Sequence, residues 1–491
     1  MPSDRRDFLR LTAFAPLAAA LPLGGGPLAA LSAPRPADWA ALGRGLDGRL
    51  VRPGDASYGA ARRLYNPAFD DVRPAGIAYC ANDADVAECV RFATRYDVPL
   101  AVRSGGHSYA GWSTGTGLVI DVSPMRSVRH SSGRAVVGAG AKLIDVYDRL
   151  AASGVSIPAG SCPTVGVSGL ALGGGIGVVS RKYGLTCDVL ESVRIVTASG
   201  ATLTCDANHN ADLYWASRGG GGGNFGVATS FTFRTHPIRE VTVFFLRWPW
   251  AKARKVVAEW QKWAPAAPDA LWSNLHLTRE GGGPAVQVGG LYLGGRAACE
   301  NLLDRLAGRI GATSSRYVRA TSYRQAMMIM AGCSSYSVSQ CHLPGSLPGQ
   351  TRDGRLVRDT FEAKSHIAYR PLSSAGIATL VAKVAAPGDH AVLLDALGGA
   401  VGRVGPQATA FPHRAAVFSV QYYAHRAGRA AWLRDAHAAM TPHFGHHAYV
   451  NYIDPKLTGW RTAYYGPNAP RLARIKAKYD PARRFRFPQA I

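Results

Sequence analysis

Glycine-rich turns that carry a histidine or a cysteine are the first candidates for chemistry in this sequence. Residues 103–108 read Arg-Ser-Gly-Gly-His-Ser and follow an apolar run typical of a buried strand. Glycines leave backbone N–H groups free to approach a phosphate or another anion closely. The turn lacks both the Lys-Ser/Thr ending of a nucleoside triphosphate loop and the spacing of a dinucleotide-binding fingerprint. By itself it therefore also fits a tight strand turn with a structural histidine.

Two further glycine-rich segments follow along the chain. Residues 160–177 contain Cys162 and the run Gly173 to Gly177, and residues 218–226 contain five consecutive glycines. Glycine loses more conformational freedom on folding than any other residue, so this many glycines are costly if they serve turns alone. Three such turns in one unit indicate a long ligand that the backbone approaches closely.

The elements that must position these turns alternate between helix and strand. Asn82 precedes a helical pattern at residues 86–96, as an N-cap residue does, and residues 98–102 read as a buried strand. Further strand patterns follow at 118–122, 135–139 and 193–204, together with a helical pattern at 143–152 and even-spaced apolar residues from Phe225 to Phe233. Residues 70–237 therefore form one continuous α+β unit.

The pattern changes from about residue 241. Amphipathic strands such as 242–247 and 285–293 are mixed there with helices such as 298–310. A chain of 491 residues is also longer than one ordinary core of roughly 100–200 residues. We therefore predict a second domain, built on an antiparallel sheet covered by helices, in an α+β protein.

Charge and cysteine usage exclude some classes of function. The net charge of +24 is spread over mostly single arginines, without a basic run or a motif for nucleic acid, so a nucleic-acid partner is not expected. The eight cysteines form no CxxC pair, which argues against a metal site. Cys333 and Cys341 could close a short loop as a disulfide, whereas Cys89 lies on the apolar face of a predicted helix.

The N-terminal residues 1–33 have the order of a signal peptide. Arg5 and Arg6 precede the apolar run from Leu11 to Leu23, and small residues follow. The run is shorter than the roughly 20 residues that span a bilayer, so no membrane anchor is expected. The paired arginines predict export by the twin-arginine route to the periplasm or the medium. A basic amphipathic start to a cytoplasmic protein is the alternative.

The three turns, read together with later segments, resemble one family. Residues 409–414 read Thr-Ala-Phe-Pro-His-Arg, residues 451–454 read Asn-Tyr-Ile-Asp, and residues 464–468 read Tyr-Tyr-Gly-Pro-Asn. In this order they resemble the berberine bridge enzyme family, here a bacterial exported member. The resemblance implies a PCMH-type FAD-binding domain at residues 40–237, a substrate domain at 238–445 and a segment at 446–491 that returns to the FAD domain.

The resemblance implies that FAD is attached covalently at two points. His107 matches the histidine that bonds the 8α-methyl carbon of the flavin, and Cys162 matches the cysteine that bonds ring carbon 6. The residues that the resemblance assigns to FAD binding are Arg103, Ser104, Gly105, Gly106, His107, Ser108, Cys162, Val165, Gly166, Gly169, Gly174, Gly175, Gly177, Gly223, Asn224, Gly226, Tyr465 and Asn468.

Three residues are candidates for the substrate side. Tyr452 matches a tyrosine that acts as the base in several family members, although it also fits a buried core position. A tyrosine titrates near 10, so such a base needs nearby positive charge or hydrogen-bond donors. Gln421 stands where berberine bridge enzyme has its glutamate base, and glutamine cannot take a proton. Tyr369 fits the substrate side and simple packing equally well.

The resemblance also implies an acceptor for the electrons. Val165 matches the small residue associated with oxygen access in family oxidases, which favours dioxygen as the acceptor and hydrogen peroxide as the product. Leu170 replaces a histidine that many members place beside the flavin. The predicted reaction is oxidation of an alcohol, a sugar hemiacetal or a secondary-metabolite hydroxyl on a small molecule. A dehydrogenase with another acceptor and a flavin-binding protein with little catalysis remain the alternatives.

Overall fold

The computed structural model describes residues 33–238, 240–425 and 430–491, so residues 1–32 of the predicted signal segment lie outside it. The strands, in chain order, are β1 (Arg49–Val51), β2 (Gly76–Tyr79), β3 (Leu100–Arg103), β4 (Leu118–Asp121), β5 (Val128–Ser131), β6 (Arg134–Gly138), β7 (Val155–Ser156), β8 (Leu190–Val196), β9 (Thr202–Cys205), β10 (Val227–Arg234), β11 (His236–Pro237), β12 (Glu240–Trp248), β13 (Leu271–Glu280), β14 (Gly283–Tyr292), β15 (Ser315–Ser322), β16 (Phe361–Ala368), β17 (His390–Ala396) and β18 (Phe418–His425).

The helices are α1 (Pro36–Arg44), α2 (Tyr58–Ala61), α3 (Asp83–Arg95), α4 (Leu143–Ala151), α5 (Val167–Leu172), α6 (Ser180–Tyr183), α7 (Ala211–Ala216), α8 (Ala253–Ala266), α9 (Arg296–Ile310), α10 (Tyr323–Met330), α11 (Ser374–Ala385), α12 (Ala430–Phe444), α13 (Trp460–Tyr465) and α14 (Ala469–Tyr479). The described helices include none that is both long enough and apolar enough to cross a membrane.

A four-stranded sheet in the order β1-β2-β4-β3 holds the first glycine turn at the end of β3. The β2–β4 and β4–β3 pairs are parallel, and every residue of β2 and β4 is buried, as continuous apolar runs in parallel sheets predict. α3 connects β2 to β3. Its N-cap is Asn82, whose side chain accepts the N–H of Asp85, and Cys89 lies in the core as predicted.

A five-stranded antiparallel sheet follows, in the order β5-β6-β10-β8-β9. β10 buries Phe231 and Phe233 while Thr232 is partly exposed, so the even spacing in the sequence is that of a half-buried strand. β8 and β9, which contain the strand pattern at 193–204, form a hairpin, and Gly200 has a φ of +80° in its turn. This sheet and the four-stranded sheet share one apolar core.

The seven-stranded antiparallel sheet has the order β15-β12-β14-β13-β17-β18-β16. One face is packed under α8, α9, α11 and α12, with residues such as Leu275, Leu394 and Val420 in the shared core. Because side chains alternate along a strand, the intervening residues point to the opposite face. The predicted antiparallel sheet covered by helices is confirmed, as is the α+β class.

A segment between α10 and β16, residues 331–360, is held down by cross-links rather than by regular structure. Cys333 and Cys341 form a disulfide, the pairing that their spacing in the sequence allowed. Arg358 pairs with Asp70, which precedes β2. We call residues 331–360 the disulfide segment.

The C-terminal residues pack back onto the third glycine turn. The N–H of Ile491 donates to Oδ1 of Asn224 at 3.0 Å, and the buried Nζ of Lys476 donates to the carbonyl of Asn224 at 2.5 Å. Lys476 also pairs with the buried Asp480 at 2.7 Å. The last residues of the chain thereby fix the turn that contains Asn224.

Candidate active site

A cavity of about 1030 Å³ lies where the glycine turns meet the seven-stranded sheet. Its walls combine backbone from the three turns with side chains from β13, β17 and β18 and from the C-terminal segment. The predicted FAD-binding residues that border it are Ser104, Gly105, Gly106, His107, Ser108, Cys162, Val165, Gly166, Gly169, Gly177, Gly223, Asn224, Gly226 and Tyr465. Leu170 borders it as well.

The first two turns touch each other through glycines. A Cβ at Gly105 would lie 2.2 Å from the backbone nitrogen of Gly166, and a Cβ at Gly166 would lie 2.2 Å from Oγ of Ser104. Only residues without a side chain permit this approach. The contact brings His107 and Cys162, which are far apart in the sequence, to the border of one cavity.

Two neighbours orient the ring of His107. The ring stacks on Tyr65 with centroids 4.0 Å apart, and its Nε2 lies 2.9 Å from Oγ1 of Thr164. Burial, and then the charge of Lys142, lower the pKa of His107 to about 3. The imidazole is therefore neutral at physiological pH and keeps a lone pair available for bonding.

The thiol of Cys162 is accessible from the cavity. The protein around the thiol shields it from bulk water, and this desolvation raises the pKa of Cys162; the carboxyl group of Asp395 adds to the effect. Cys162 is therefore a thiol rather than a thiolate at neutral pH in this environment. The described part of the chain has no group of three or more His, Cys, Asp or Glu side chains placed to hold a metal ion.

Four predicted FAD-binding residues do not border the cavity. Arg103 is buried in an ion pair with Asp121, and Gly174 packs against Phe411. The N–H of Gly175 donates to the hydroxyl of Tyr449 at 2.8 Å, and Asn468 donates to the carbonyl of Pro406 at 2.8 Å. These four residues support the wall from behind instead of facing a ligand.

The seven-stranded sheet contributes a cluster of hydroxyl and amide groups. Gln421 and Tyr423 lie two residues apart on β18 and therefore share a face. Nε2 of Gln421 donates to the hydroxyl of Tyr423 at 2.6 Å and also to that of Tyr109. The ring of Tyr109 stacks on Tyr452 with centroids 5.6 Å apart and an angle of 6°.

Tyr452 borders the cavity as predicted, but its environment does not suit a base. Burial, and then the nearby Asp395 and Tyr109, raise the pKa of Tyr452 well above its usual value near 10. The phenol is therefore protonated near neutrality. It can donate a hydrogen bond to a substrate oxygen, whereas the predicted role as the base needed positive charge nearby.

Asp395 is the functional candidate that the sequence analysis missed. It lies on β17 opposite Asn274 of β13, and both side chains border the cavity. Burial raises the pKa of Asp395 to about 7. A carboxyl group with this pKa can take a proton at neutral pH. The available signal was one acidic residue in the apolar run His-Ala-Val-Leu-Leu-Asp-Ala, residues 390–396.

Tyr369 lies away from this cavity. Its hydroxyl is 2.8 Å from Nδ1 of His413, and both residues border a separate cavity of about 430 Å³. Of the two alternatives for Tyr369, its position favours packing over the substrate side of the large cavity. β16 ends at Ala368, and the chain leaves the sheet before Tyr369 can join the cavity face.

The residues of the large cavity fit FAD. Three glycine turns place backbone along its walls, and His107 and Cys162 offer a nitrogen and a sulfur to one ligand. Thr114, also in the wall, has a buried hydroxyl with no hydrogen-bond partner among the described residues. Buried polar groups are normally paired, so a ligand with polar atoms suits this part of the cavity.

Comparison with known proteins agrees with this fit. A family model described as an FAD binding domain matches residues 74–206, and a model described as "Berberine and berberine like" matches residues 448–491. The chain is 34% identical to the uncharacterized FAD-linked oxidoreductase YgaK of Bacillus subtilis, over 91% of this chain and 97% of that protein.

Two further relatives have informative names. The chain is 29% identical to the chitooligosaccharide oxidase of Gibberella zeae, over 85% of this chain and 87% of that protein. The solved structure of Physcomitrella patens BBE-like 1 superposes with a TM-score of 0.84 at 31% identity, covering 92% of this chain and 98% of that one. This likeness confirms the PCMH-type FAD-binding fold, and the chain belongs to the berberine bridge enzyme-like family of FAD-linked oxidoreductases.

Proposed function

We propose that this oxidoreductase holds FAD by two covalent bonds, through His107 and Cys162, and oxidises a hydroxyl group of a small molecule with dioxygen as the acceptor. One observation carries the proposal: the imidazole and the thiol border the same cavity, which the glycine turns also border. The neutral state of His107 supports it further, because only an unprotonated ring nitrogen can form a bond.

Side chains that border the cavity have separate roles in the reaction. FAD, when bound, supplies a two-electron acceptor for the hydride that leaves the substrate carbon. Asp395 takes the proton of the substrate hydroxyl, since its pKa of about 7 leaves much of it ionised at neutral pH. Tyr452 donates a hydrogen bond to the same oxygen. The amide of Gln421 holds Tyr109 and Tyr423 in place around the substrate.

Val165 and the names of relatives support dioxygen as the acceptor. Val165 borders the cavity three residues after Cys162 and leaves space that a larger side chain would fill. The relative from Gibberella zeae is named an oxidase. We therefore expect one molecule of hydrogen peroxide per reduced flavin when the reduced protein is exposed to air. Flavin reduction without peroxide would identify the protein as a dehydrogenase instead.

Acid precipitation tests the covalent bonds. FAD held by the cradle alone is released when the protein unfolds, whereas covalent FAD stays with the pellet. We expect the wild-type pellet to be yellow, His107→Ala and Cys162→Ala each to keep one bond, and the double variant to release all its FAD. A wild-type protein that loses its flavin to the supernatant contradicts the proposal.

An anaerobic screen identifies the substrate class. Sugars, phenolic alcohols and secondary metabolites with free hydroxyl groups are mixed with the yellow protein in the absence of oxygen. Bleaching of the flavin band marks a substrate, and readmission of air with a peroxide assay identifies the acceptor. A panel that leaves the flavin band unchanged throughout favours a flavin-binding protein with little catalysis.

We also propose export by the twin-arginine route. The disulfide between Cys333 and Cys341 supports an oxidising compartment. Replacing Arg5 and Arg6 by lysine should keep the protein in the cytoplasm, because the arginine pair is the address that the route reads. Mass analysis of the exported wild type should show a new N-terminus near Pro34. An intact Met1 on exported protein argues against cleavage.

A further inference from the structure

Thr164 lies beside His107 in the cavity wall. Its side chain is only 4% exposed, and its hydroxyl oxygen is 2.9 Å from Nε2 of His107. Among the described residues, His107 is the hydrogen-bond partner that the structure gives to this hydroxyl. Buried polar groups are normally paired, so the contact with His107 is the one that satisfies this hydroxyl.

The contact with Thr164 completes the orientation of the imidazole. Tyr65 stacks on the ring with an interplanar angle of 19° and so fixes its plane. Thr164 fixes the rotation within that plane, because it engages Nε2. A neutral imidazole carries one N–H and one lone pair. With Nε2 directed at Thr164, Nδ1 is the nitrogen left for a bond to a ligand.

We propose that Thr164 is a positioning residue for covalent attachment at His107: its hydroxyl holds Nε2, leaves Nδ1 as the bonding nitrogen and exchanges hydrogen-bond roles when the imidazole loses its proton. This inference rests on the proposed bond between His107 and FAD. It assigns to Thr164 a function in the maturation of the protein, separate from the oxidation of substrate.

The hydrogens and electrons that move when the bond between His107 and FAD forms show why a hydroxyl suits position 164. The C–N bond forms as the 8α-methyl carbon loses one hydrogen and the imidazole loses its single N–H proton. The two electrons and the two protons released pass through the reduced flavin to dioxygen, which becomes hydrogen peroxide. Before attachment Nε2–H donates to Thr164, whereas afterwards Nε2 has only a lone pair and Thr164 must donate. A hydroxyl can do both.

Thr164 lies two residues after Cys162, so one turn supports both attachment points. Cys162 offers its own sulfur, whereas Thr164 acts through His107. A change that removes only the hydroxyl should therefore weaken the His107 bond and spare the Cys162 bond. The Cys162 bond then serves as an internal control for folding and for FAD uptake.

Tryptic digestion separates the two attachment points. Cleavage after Arg103 and Arg126 releases residues 104–126 with His107, and cleavage after Arg149 and Arg181 releases residues 150–181 with Cys162. FAD bound at both points joins these two peptides in the mass spectrum. FAD bound only at Cys162 leaves peptide 104–126 free of flavin.

The test compares Thr164→Val, which keeps the shape, with Thr164→Ser, which keeps the hydroxyl. Samples are taken at set times after induction. We expect the joined pair to fall at least about tenfold in the valine variant, since misplacing a reacting atom by about 1 Å can cost about 100-fold in rate. The serine variant should approach the wild type. Thr229→Val is the matched control, because Thr229 is also buried and bonds a backbone carbonyl instead, that of Arg194.

Each result bears on the inference. Retention of flavin on peptide 150–181 together with free peptide 104–126 in the valine variant supports it. A wild-type yield of the joined pair in that variant overturns it, and so does an equal loss of flavin from both peptides or a similar loss in Thr229→Val. Wild-type protein without a joined pair overturns the proposed double attachment itself, which is a different result.

Discussion

At the residue scale, burial decides which side chain can move a proton. Asp395 and Tyr452 border the same cavity, and burial raises the pKa of both. The pKa of the Asp395 carboxyl group rises to about 7, close to neutrality. The pKa of the Tyr452 phenol, already near 10, rises further above neutrality. The same physical effect therefore suits Asp395 to the proposed role of base and Tyr452 to the proposed role of hydrogen-bond donor.

Asp395→Asn should slow flavin reduction by about 10² to 10⁴-fold, the usual contribution of a positioned base. Covalent FAD should remain. In the wild type only the ionised carboxylate accepts a proton, so reduction should speed up as the pH rises through about 7 and level off above it. Anaerobic stopped-flow absorbance across pH 5 to 9 measures both effects. A pH profile that is unchanged in the asparagine variant rules out Asp395 as the base.

Tyr452→Phe provides the comparison at the same site. The change removes one hydrogen bond, so flavin reduction should slow only about tenfold, which corresponds to about 1.4 kcal/mol. The rise through pH 7 should persist because Asp395 remains. If this variant is instead slower than Asp395→Asn and loses the pH dependence, Tyr452 is the base, as its place in the Asn-Tyr-Ile-Asp segment predicted.

At the element scale, the disulfide segment forms part of the cavity wall without regular structure. Ala331, Gly332 and Val357 border the cavity, and the side chain of Val357 is 81% exposed. The segment keeps its place through the Cys333–Cys341 disulfide, the Arg358–Asp70 pair and a contact of 3.1 Å between His342 and Asp145. The disulfide segment is therefore held by a disulfide and side-chain pairs, whereas the strands are held by backbone hydrogen bonds to their neighbours.

Replacing Cys333 and Cys341 by serine should lower the free energy of unfolding by about 2–3 kcal/mol, because the closed loop no longer restricts the unfolded chain. Urea unfolding followed by tryptophan fluorescence measures the loss. The wild type with and without a reductant is the control, since reduction should reproduce the effect of the double variant. Equal midpoints for all three samples contradict the prediction.

The same variant should affect the substrate more than the chemistry. A loosened wall changes the binding of the substrate, so we expect KM to rise at least about threefold while kcat falls less than about twofold. Steady-state peroxide release with a substrate from the anaerobic screen provides both constants. A fall in kcat with unchanged KM would place the disulfide segment in the reaction itself.

At the scale of the whole molecule, buried neutral histidines make stability depend on pH. Burial lowers the pKa of His236 and His413 to about 3 and that of His276 and His437 to about 4. Each group binds a proton more readily in the unfolded chain, where its pKa is near 6.5. Their contribution is present above pH 6.5 and is lost as the pH falls towards 4.

We therefore expect the melting temperature to be level near neutrality and to fall steeply from about pH 6.5 to pH 4, with up to about 1.4 kcal/mol per pH unit for each histidine. Calorimetry of the wild type measures the slope. His437→Gln should flatten the slope, because it removes one of the groups whose pKa is lowered on folding. The ring of His437 stacks on that of His366, with centroids 4.0 Å apart. His209→Gln is the control, since His209 is 73% exposed. Parallel slopes in all three proteins contradict the assignment.

Local sequence patterns predict several helices and strands of this protein and part of its cavity. The Asn82 cap and the alternation around Phe231 depend on neighbours in the chain, so they predict α3 and β10 correctly. The spacing of Cys333 and Cys341 allows the disulfide that the structure contains. The glycine turns also identify the cavity border at His107 and Cys162. The tight backbone approach at Gly105 and Gly166 explains why glycine is needed there.

Tertiary structure alone decided the rest. The pairing of β17 with β13 and β18 places Asp395 on the cavity face, and no pattern within residues 390–396 contains that pairing. The sequence suggests that Arg103 contacts a ligand, but its guanidinium forms an ion pair with Asp121 on the neighbouring strand instead. Local sequence sets which residues are available and how strands alternate. Burial and long-range strand pairing set which side chains face the cavity and which of them are charged.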